Sequence, residues 1–440
     1  MTKKVFIITL LFVPLLAFSQ SACAGYAGIK NDSLECLQGI SVYREFKKMN
    51  LRENAVREWK KVYVKCPQIK KIIYQDGVKF LKQDIVHTQD ENIRKLLIDS
   101  LMRIYDNRIK YFGDEDFVNG RKGFDLYYLD KKQTAIARNL MYSSAANRKE
   151  KTQLSVVAAL VKATVDLGNN QLLNTTELIN TYFLCDSILN VKLRIVKDEN
   201  KKVKIKQTQK SVKKFFAESE LIRQEQFMHL LEHKFSDNLD NLDSLNKIMV
   251  ILSAANYSKS GLFYKIAKKI DILNPTASNA YILAGIEIEN NNYEKAAEYF
   301  QKAINLEKSN RQKALYHKDY AVMQYTFLKD FRQAKKSFEN SLQCAKTAKT
   351  YCAMGDMYAA YHYSFKNKSL EHSALLWLAT DYYLKAKQLN PKLASKADKR
   401  IAYYREYFPT KEDIFFFGLK PGQSYKIGGW INQSTIVRVR

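Results

Sequence analysis

The 440-residue chain carries 72 Lys/Arg against 45 Asp/Glu, a formal net charge of +27, with only 15 Gly and 6 Pro. So few turn formers exclude a disordered or turn-rich β chain and favour helices joined by short loops. The length allows one large domain or two smaller ones. The charge implies either a solvated basic surface or attraction to anionic partners.

Residues 1–19 read as a secretory signal. Lys3 and Lys4 precede an apolar core, Val5–Leu16, and Ala17-Phe18-Ser19 puts small residues at the cleavage-critical positions before Gln20. The core is too short for a typical membrane span. Lipidation at Cys23 would want a Leu three residues upstream, and Gln20 stands there. Export is therefore expected, to the periplasm or an outer-membrane-associated site, after which residues 20–34 form a flexible leader.

Residues 35–193 are expected to hold degenerate helix pairs. Cys36–Pro67 is the first, with Ala55, Trp59 and Val62 on one face of its second helix. Residues 70–112 follow, with Gly77 in a close-packing position and Ile93, Leu96, Leu97, Leu101, Ile104 and Tyr105 at helical spacing. Gly120 and Gly123 begin the next pair, Arg121–Leu129 and Thr134–Ser144. Val156–Leu167 and Thr176–Val191 make another.

Residues 194–214 shift in composition, with nine Lys/Arg against Asp198 and Glu199. The segment reads as a solvated helix or linker, with an anionic contact surface as the alternative. Phe215–His233 resumes as one amphipathic helix. Within it, His229-Leu-Leu-Glu232-His233 matches the inverted zinc-peptidase motif H-x-x-E-H. The peptidase reading also needs a third ligand and a catalytic α/β domain, neither of which the flanking helical pattern offers. It stands as a remote alternative to an exposed helix face.

Residues 215–408 carry the clearest repeats. Pro275–Glu307 combines Leu283 and Ala284 in a first helix with Tyr293, Ala296, Phe300 and Ala303 in a second. This resembles the tetratricopeptide (TPR) repeat, roughly 34 residues of paired helices that stack on neighbours because one pair cannot bury its apolar face alone. Leu245–Pro275 precedes it with Phe263, Ala267 and Ile270. Leu315–Gln343 follows with Phe331, Ala334, Phe338 and Ser341 in register. The last pair, Tyr351–Pro391, holds Gly355 and Tyr358, then Ala379, Tyr383 and Ala386. An insertion of about a dozen residues, 361–374, is expected between its helices against the repeat norm. Ala394–Tyr407 caps the stack. Residues 409–440 end in alternating Thr435, Val437 and Val439 and read as a β-hairpin tail. The expected fold is thus all-α, a TPR-like right-handed solenoid with that small tail.

Six cysteines lack any CxxC or metal spacing. Cys36 opens one helix and Cys66 closes its antiparallel partner, which makes a Cys36–Cys66 disulfide the first candidate in an exported chain. Cys344–Cys352 is the second.

The Lys-Cys-Pro end of the first pair, Ser260-Gly-Leu-Phe263 through Asn274-Pro275, and the tail Tyr403–Pro409 with Gly428-Gly-Trp-Ile-Asn together resemble secreted TPR proteins of Bacteroidota. That resemblance implies export and a scaffold role and supplies no catalytic residue.

The expected function is a non-enzymatic scaffold holding a protein or peptide, with an acidic or extended segment, in a concave groove. No cofactor is implied. By repeat phase the groove includes Arg44, Lys47, Lys48, Tyr281, Glu289, Asp319, Met323, Phe327 and Asp356. Nucleic acid is not the expected partner of an exported chain, whereas an anionic envelope surface or polysaccharide is an alternative. Carbohydrate binding would use Trp430 and Tyr361–Tyr363 as aromatic platforms.

Overall fold

The computed structural model describes residues 29–366 and 369–440. The signal segment, Cys23 and most of the expected leader lie outside them. The end of that leader is helical from Ile29.

The chain divides into two compact units, the first ending at Phe215 and the second beginning at Phe216. In the first, α1 (Ile29–Lys48) pairs with α2 (Arg52–Lys65), and α3 (Ile72–His87) with α4 (Glu91–Phe112). Next, α5 (Glu115–Leu129) pairs with α6 (Thr134–Arg148), and α7 (Leu154–Asn169) with α8 (Thr175–Ile195); α9 (Glu199–Ala217) follows. The second unit begins with α10 (Glu220–Arg223), α11 (Glu225–Ser236) and α12 (Leu242–Ala254). It continues through α13 (Gly261–Leu273), α14 (Ala277–Glu289), α15 (Tyr293–Leu306), α16 (Asn310–Thr326), α17 (Phe331–Cys344), α18 (Ala348–Tyr363) and α19 (Leu370–Leu389). It closes with α20 (Ala394–Arg405), α21 (Lys411–Phe416) and the antiparallel strands β1 (Ser424–Ile427) and β2 (Gln433–Ile436). The pairs α12–α13, α14–α15, α16–α17 and α18–α19 are the TPR-like repeats of this unit.

The same turn chemistry recurs inside the pairs. Asn50, Gln171, Asn256 and Asn291 sit at positive φ between the two helices of a pair. Asn tolerates this left-handed region because its short side chain can bond locally. Each is followed by an amide that reaches back to the preceding helix: Leu51 to the Phe46 carbonyl, Leu172 to Leu167, Tyr257 to Leu252 and Asn292 to Glu287, at 2.7–2.9 Å. These are Schellman-type closures, which satisfy carbonyls that the helix end would strand. The next first helix is started by an oxygen-bearing cap. Thr276, Ser309 and Thr347 accept from the amides of Asn279, Gln312 and Thr350.

Packing follows the small-residue pattern. Leu283, Ala284, Ala296 and Ala303 are fully buried, and Phe300 fills the space between Ala284, Ala296 and Met323 of the next repeat. A buried Phe of this kind contributes roughly 1.5–3 kcal/mol relative to exposure. In the first unit the Trp59 indole of α2 packs near Gly77 and donates 2.7 Å to the Ile73 carbonyl of α3, tying the first two pairs together. The disulfide Cys36–Cys66 joins the N-terminal half of α1, about two turns in from Ile29, to the residue that caps the end of α2.

Three expectations need correction, and the basic segment takes one of its two readings. Phe215–His233 is not one helix: it breaks at Ser219 and again at Gln224, where both backbones are extended. The basic segment 194–214 takes the helix reading and not the linker one: α8 runs to Ile195 and α9 begins at Glu199, with Ile205, Val212 and Phe216 buried on it. Gly120 and Gly123 lie inside α5 rather than opening it. A Cβ on Gly123 would stand 2.6 Å from the Ala137 carbonyl of α6. The insertion 361–374 is mostly helix, since α18 runs to Tyr363 and α19 starts at Leu370. Buried His362 and Ala374 continue the inward faces, and the His372 carbonyl lies 2.7 Å from His362 Nδ1.

The tail packs along α19. Thr435 Oγ1 donates 2.6 Å to Asp381 Oδ2, Arg438 pairs with the same carboxylate, and Tyr382 donates 2.9 Å to Gln433 Oε1. Ile414, Ile427, Ile431 and Val437 are buried there.

Candidate functional site: the inner helices

The first helices α3, α5, α7, α14, α16 and α18 each carry a carboxylate that receives a tyrosine hydroxyl. Asp76 of α3 accepts from Tyr43 at 3.2 Å and from Lys47, both on α1. Asp125 of α5 accepts from Tyr105 at 2.6 Å and from Lys82 of α3. Asp166 of α7 accepts from Tyr127 of α5 at 2.6 Å, with Lys131 at 3.5 Å. In the second unit Glu287 of α14 accepts from Tyr264 at 2.7 Å, Asp319 of α16 from Tyr281 at 2.8 Å, and Asp356 of α18 from Tyr383 at 2.6 Å. Arg400 of α20 approaches Asp356 at 4.0 Å. Burial and the adjacent carboxylate push the Tyr43, Tyr105, Tyr127, Tyr281 and Tyr383 hydroxyls well above the ordinary phenol range, so they remain donors at neutral pH. Glu287 is fully buried, which raises its pKa. Hydrogen bonds from Tyr264 and Asn292 and the charges of Lys295 and Lys268 outweigh that and hold it below the usual range.

Of the groove residues expected by repeat phase, Arg44 and Lys48 are exposed on α1. They line a depression of about 500 Å³ with Leu37, Ile40, Ser41, Glu45 and Lys70. Lys48 pairs with Glu45 at 2.6 Å. Lys47 instead turns to buried Asp76. Tyr281, Asp319 and Asp356 belong to the tyrosine–carboxylate set. Glu289 pairs with Lys259 at 2.9 Å. Phe327 is exposed and stacks on Tyr293 at 5.0 Å. Met323 is corrected: it is 1% exposed, packed between repeats on Phe300, and presents nothing to a groove. Trp430 is half-buried with its ring edge-on to Tyr361 at 5.3 Å, a wedge rather than an open platform.

A second depression, of about 550 Å³, lies along α20. It is lined by Lys392, Ser395, Lys396, Lys399, Arg400 and Tyr403. Among the described residues Lys392, just before α20, and Lys396 and Lys399 on it make no ion pair, while the one acid of α20, Asp398, is taken by Lys387 at 2.7 Å. Four cations around one concavity create a positive potential that a bound anion would relieve. Repeat phase did not pick out this site. The signal available in the sequence was the spacing Lys392, Lys396, Lys399 and Arg400, which puts all four within reach of one helix face.

His229 and His233 lie exposed on α11. Glu225 stands 3.4 Å from His229, Glu232 stands 3.8 Å from it, and Asp237 stands 2.7 Å from His233. Among the described residues no group of three or more His, Cys, Asp or Glu side chains is arranged to hold a metal ion. The Cys344–Cys352 pairing is not formed. Cys352 is buried in the core against α19, Cys344 sits at the end of α17 outside that cluster, and both are free thiols. Burial pushes the Cys185 and Cys352 thiols up, which makes them poor nucleophiles at neutral pH.

No family model matches the chain, and no curated protein matches it. Solved structures that the chain matches include a tetratricopeptide repeat protein from Parabacteroides merdae, 11% identical over 74% of this chain and 99% of that one, with a TM-score of 0.30. The human IFIT1 dimer with PPP-AAAA is 12% identical over 89% of this chain and 96% of that one, with a TM-score of 0.32. The P58(IPK) TPR domain is 11% identical over 84% and 98%, with a TM-score of 0.24.

Proposed function

We propose that this helical-repeat protein is a non-enzymatic scaffold of the bacterial cell envelope that holds an acidic, extended segment of a protein partner. The observation that carries the reading is the basic depression on α20. Carboxylates on the first helices are engaged by tyrosine and lysine, whereas among the described residues Lys392, Lys396 and Lys399 have no counter-ion in one concavity with Arg400 and Tyr403. Lysine ammoniums and a guanidinium suit carboxylates spaced along an extended peptide. The N-terminal signal pattern supports an envelope location.

The test is cross-linking in cells and recovery of the cross-linked partner, repeated with Lys396→Glu and Lys399→Glu together. The reading expects a partner carrying an acidic stretch, lost in the double variant. Equal recovery by the variant, or a partner contacted only elsewhere, would overturn it.

A further inference from the structure

Three consecutive phenylalanines stand in solvent at the end of the second unit. Phe415, Phe416 and Phe417 are 76%, 84% and 60% exposed. They are not a loose tail. The short helix α21 is capped at its start by Thr410, whose hydroxyl accepts from the Asp413 amide at 3.1 Å while its own amide donates to Asp413 Oδ2 at 2.7 Å. At its end, Gly418 takes φ +67°, its amide donates to the Phe415 carbonyl at 2.9 Å, and the Leu419 amide donates to the Ile414 carbonyl at 3.1 Å. That is a complete Schellman closure. Buried Ile414 and half-buried Leu419 supply the apolar contacts that seat the turn. The fold therefore builds an ordered turn and directs its three largest apolar side chains outward.

We propose that Phe415–Phe417 form an interfacial anchor that docks the protein on an anionic lipid bilayer. The residues follow one another at about 100° steps, so the rings fan over roughly 200° of arc. The rings of Phe415 and Phe416 are edge-on, with centroids 6.4 Å apart. A fan is a poor match to a flat protein face, but a bilayer interface needs no shape complementarity. The exposed ring area is on the order of 400 Å², from the usual size of a Phe side chain. That is about half of what one partner contributes to a stable dimer, so a second copy does not fit it. The charge agrees with an anionic surface. Residues 409–440 hold Lys411, Lys420, Lys426 and Arg440 against Glu412 and Asp413, besides Arg438, which pairs with Asp381, within a chain of net charge +27. Asp413 is spent on the helix cap. Apolar insertion combined with electrostatic attraction is the physics of peripheral membrane binding. Among the described residues no helix is long and apolar enough to cross a membrane.

The experiment is co-sedimentation of the full chain with vesicles of phosphatidylethanolamine and phosphatidylglycerol, and with vesicles of phosphatidylcholine alone. The variant carries Phe415→Ser, Phe416→Ser and Phe417→Ser, with its melting temperature and solution mass measured alongside. The proposal expects the wild type to bind the anionic vesicles, the variant to bind at least about tenfold more weakly at an unchanged melting temperature, and binding to weaken as salt is raised. Absence of wild-type binding, equal binding by the folded variant, or a wild-type dimer that the variant converts to monomer would overturn it.

Discussion

The Tyr281 hydroxyl of α14 donates a 2.8 Å hydrogen bond to Asp319 Oδ2 of α16, linking the first helices of two successive repeats. The link between Tyr43 and Asp76 does the same for α1 and α3. Tyr281→Phe removes one donor from a half-buried carboxylate that keeps Lys318 at 2.6 Å, and is expected to cost about 1 kcal/mol. Asp76→Ala strands both Tyr43 and Lys47 around a buried site and is expected to cost more, about 1–3 kcal/mol. Urea denaturation of the two variants measures the order. Equal, near-zero effects would show that the pairs do not hold the repeats together.

The Cys36–Cys66 disulfide closes a loop across α1 and α2 with a sequence separation of 30. In the chain-entropy account, cross-linking a loop of that length stabilises by about 3–4 kcal/mol. Dithiothreitol, or Cys36→Ser with Cys66→Ser, is expected to lower the melting temperature of the first unit. The free thiols Cys185, Cys344 and Cys352 should make no such contribution. Calorimetry with and without reductant distinguishes the two cases.

Gly123 lies where α5 meets α6, and any side chain there would collide with the Ala137 carbonyl and the Met141 side chain. Gly123→Val is expected to destabilise by about 1–3 kcal/mol or more through forced backbone separation. By contrast, the Cβ position of Gly285 is open, and Gly285→Ala inside helix α14 should be neutral or slightly stabilising. Circular dichroism melts of both variants check the contrast.

Glu287 adds a pH dependence to the second unit. Its folded pKa lies below the ordinary value of 4.5. Its stabilising contribution is therefore present above about pH 4.5 and is lost as the pH falls through the lower, folded value. Glu287→Gln should flatten that part of the stability profile, because Tyr264 then loses its charged acceptor at every pH. Melting temperatures of wild type and variant across the acid range give the comparison.

The helix pairs were legible because apolar residues recur at helical spacing and the small residues Ala296 and Ala303 mark close approach. The same logic hid the breaks. Leu221 and Ile222 are both buried in α10, so hydrophobicity continues through a region where the backbone leaves the helix twice. His362 and Ala374 likewise extend α18 and α19 into what looked like an insertion. Met323 was misplaced because repeat phase fixes a position along a helix more reliably than its exposure, and here the neighbouring Phe300 covers it. The tyrosine–carboxylate pairs were not legible, since their partners lie 20 to 39 residues apart and only stacking brings them together. The cations around the α20 depression were visible as a run of lysines, but that Lys392, Lys396 and Lys399 make no ion pair among the described residues is a property of the fold.

The most direct test of the scaffold reading is fluorescence anisotropy of a labelled oligoglutamate peptide with the full chain, wild type against Lys392→Glu, Lys396→Glu and Lys399→Glu combined. The account predicts saturable binding by the wild type, weakening with salt as expected for contacts between charges, and its loss in the triple variant at an unchanged melting temperature. Binding that survives all three reversals, or no wild-type binding at low salt, would contradict it.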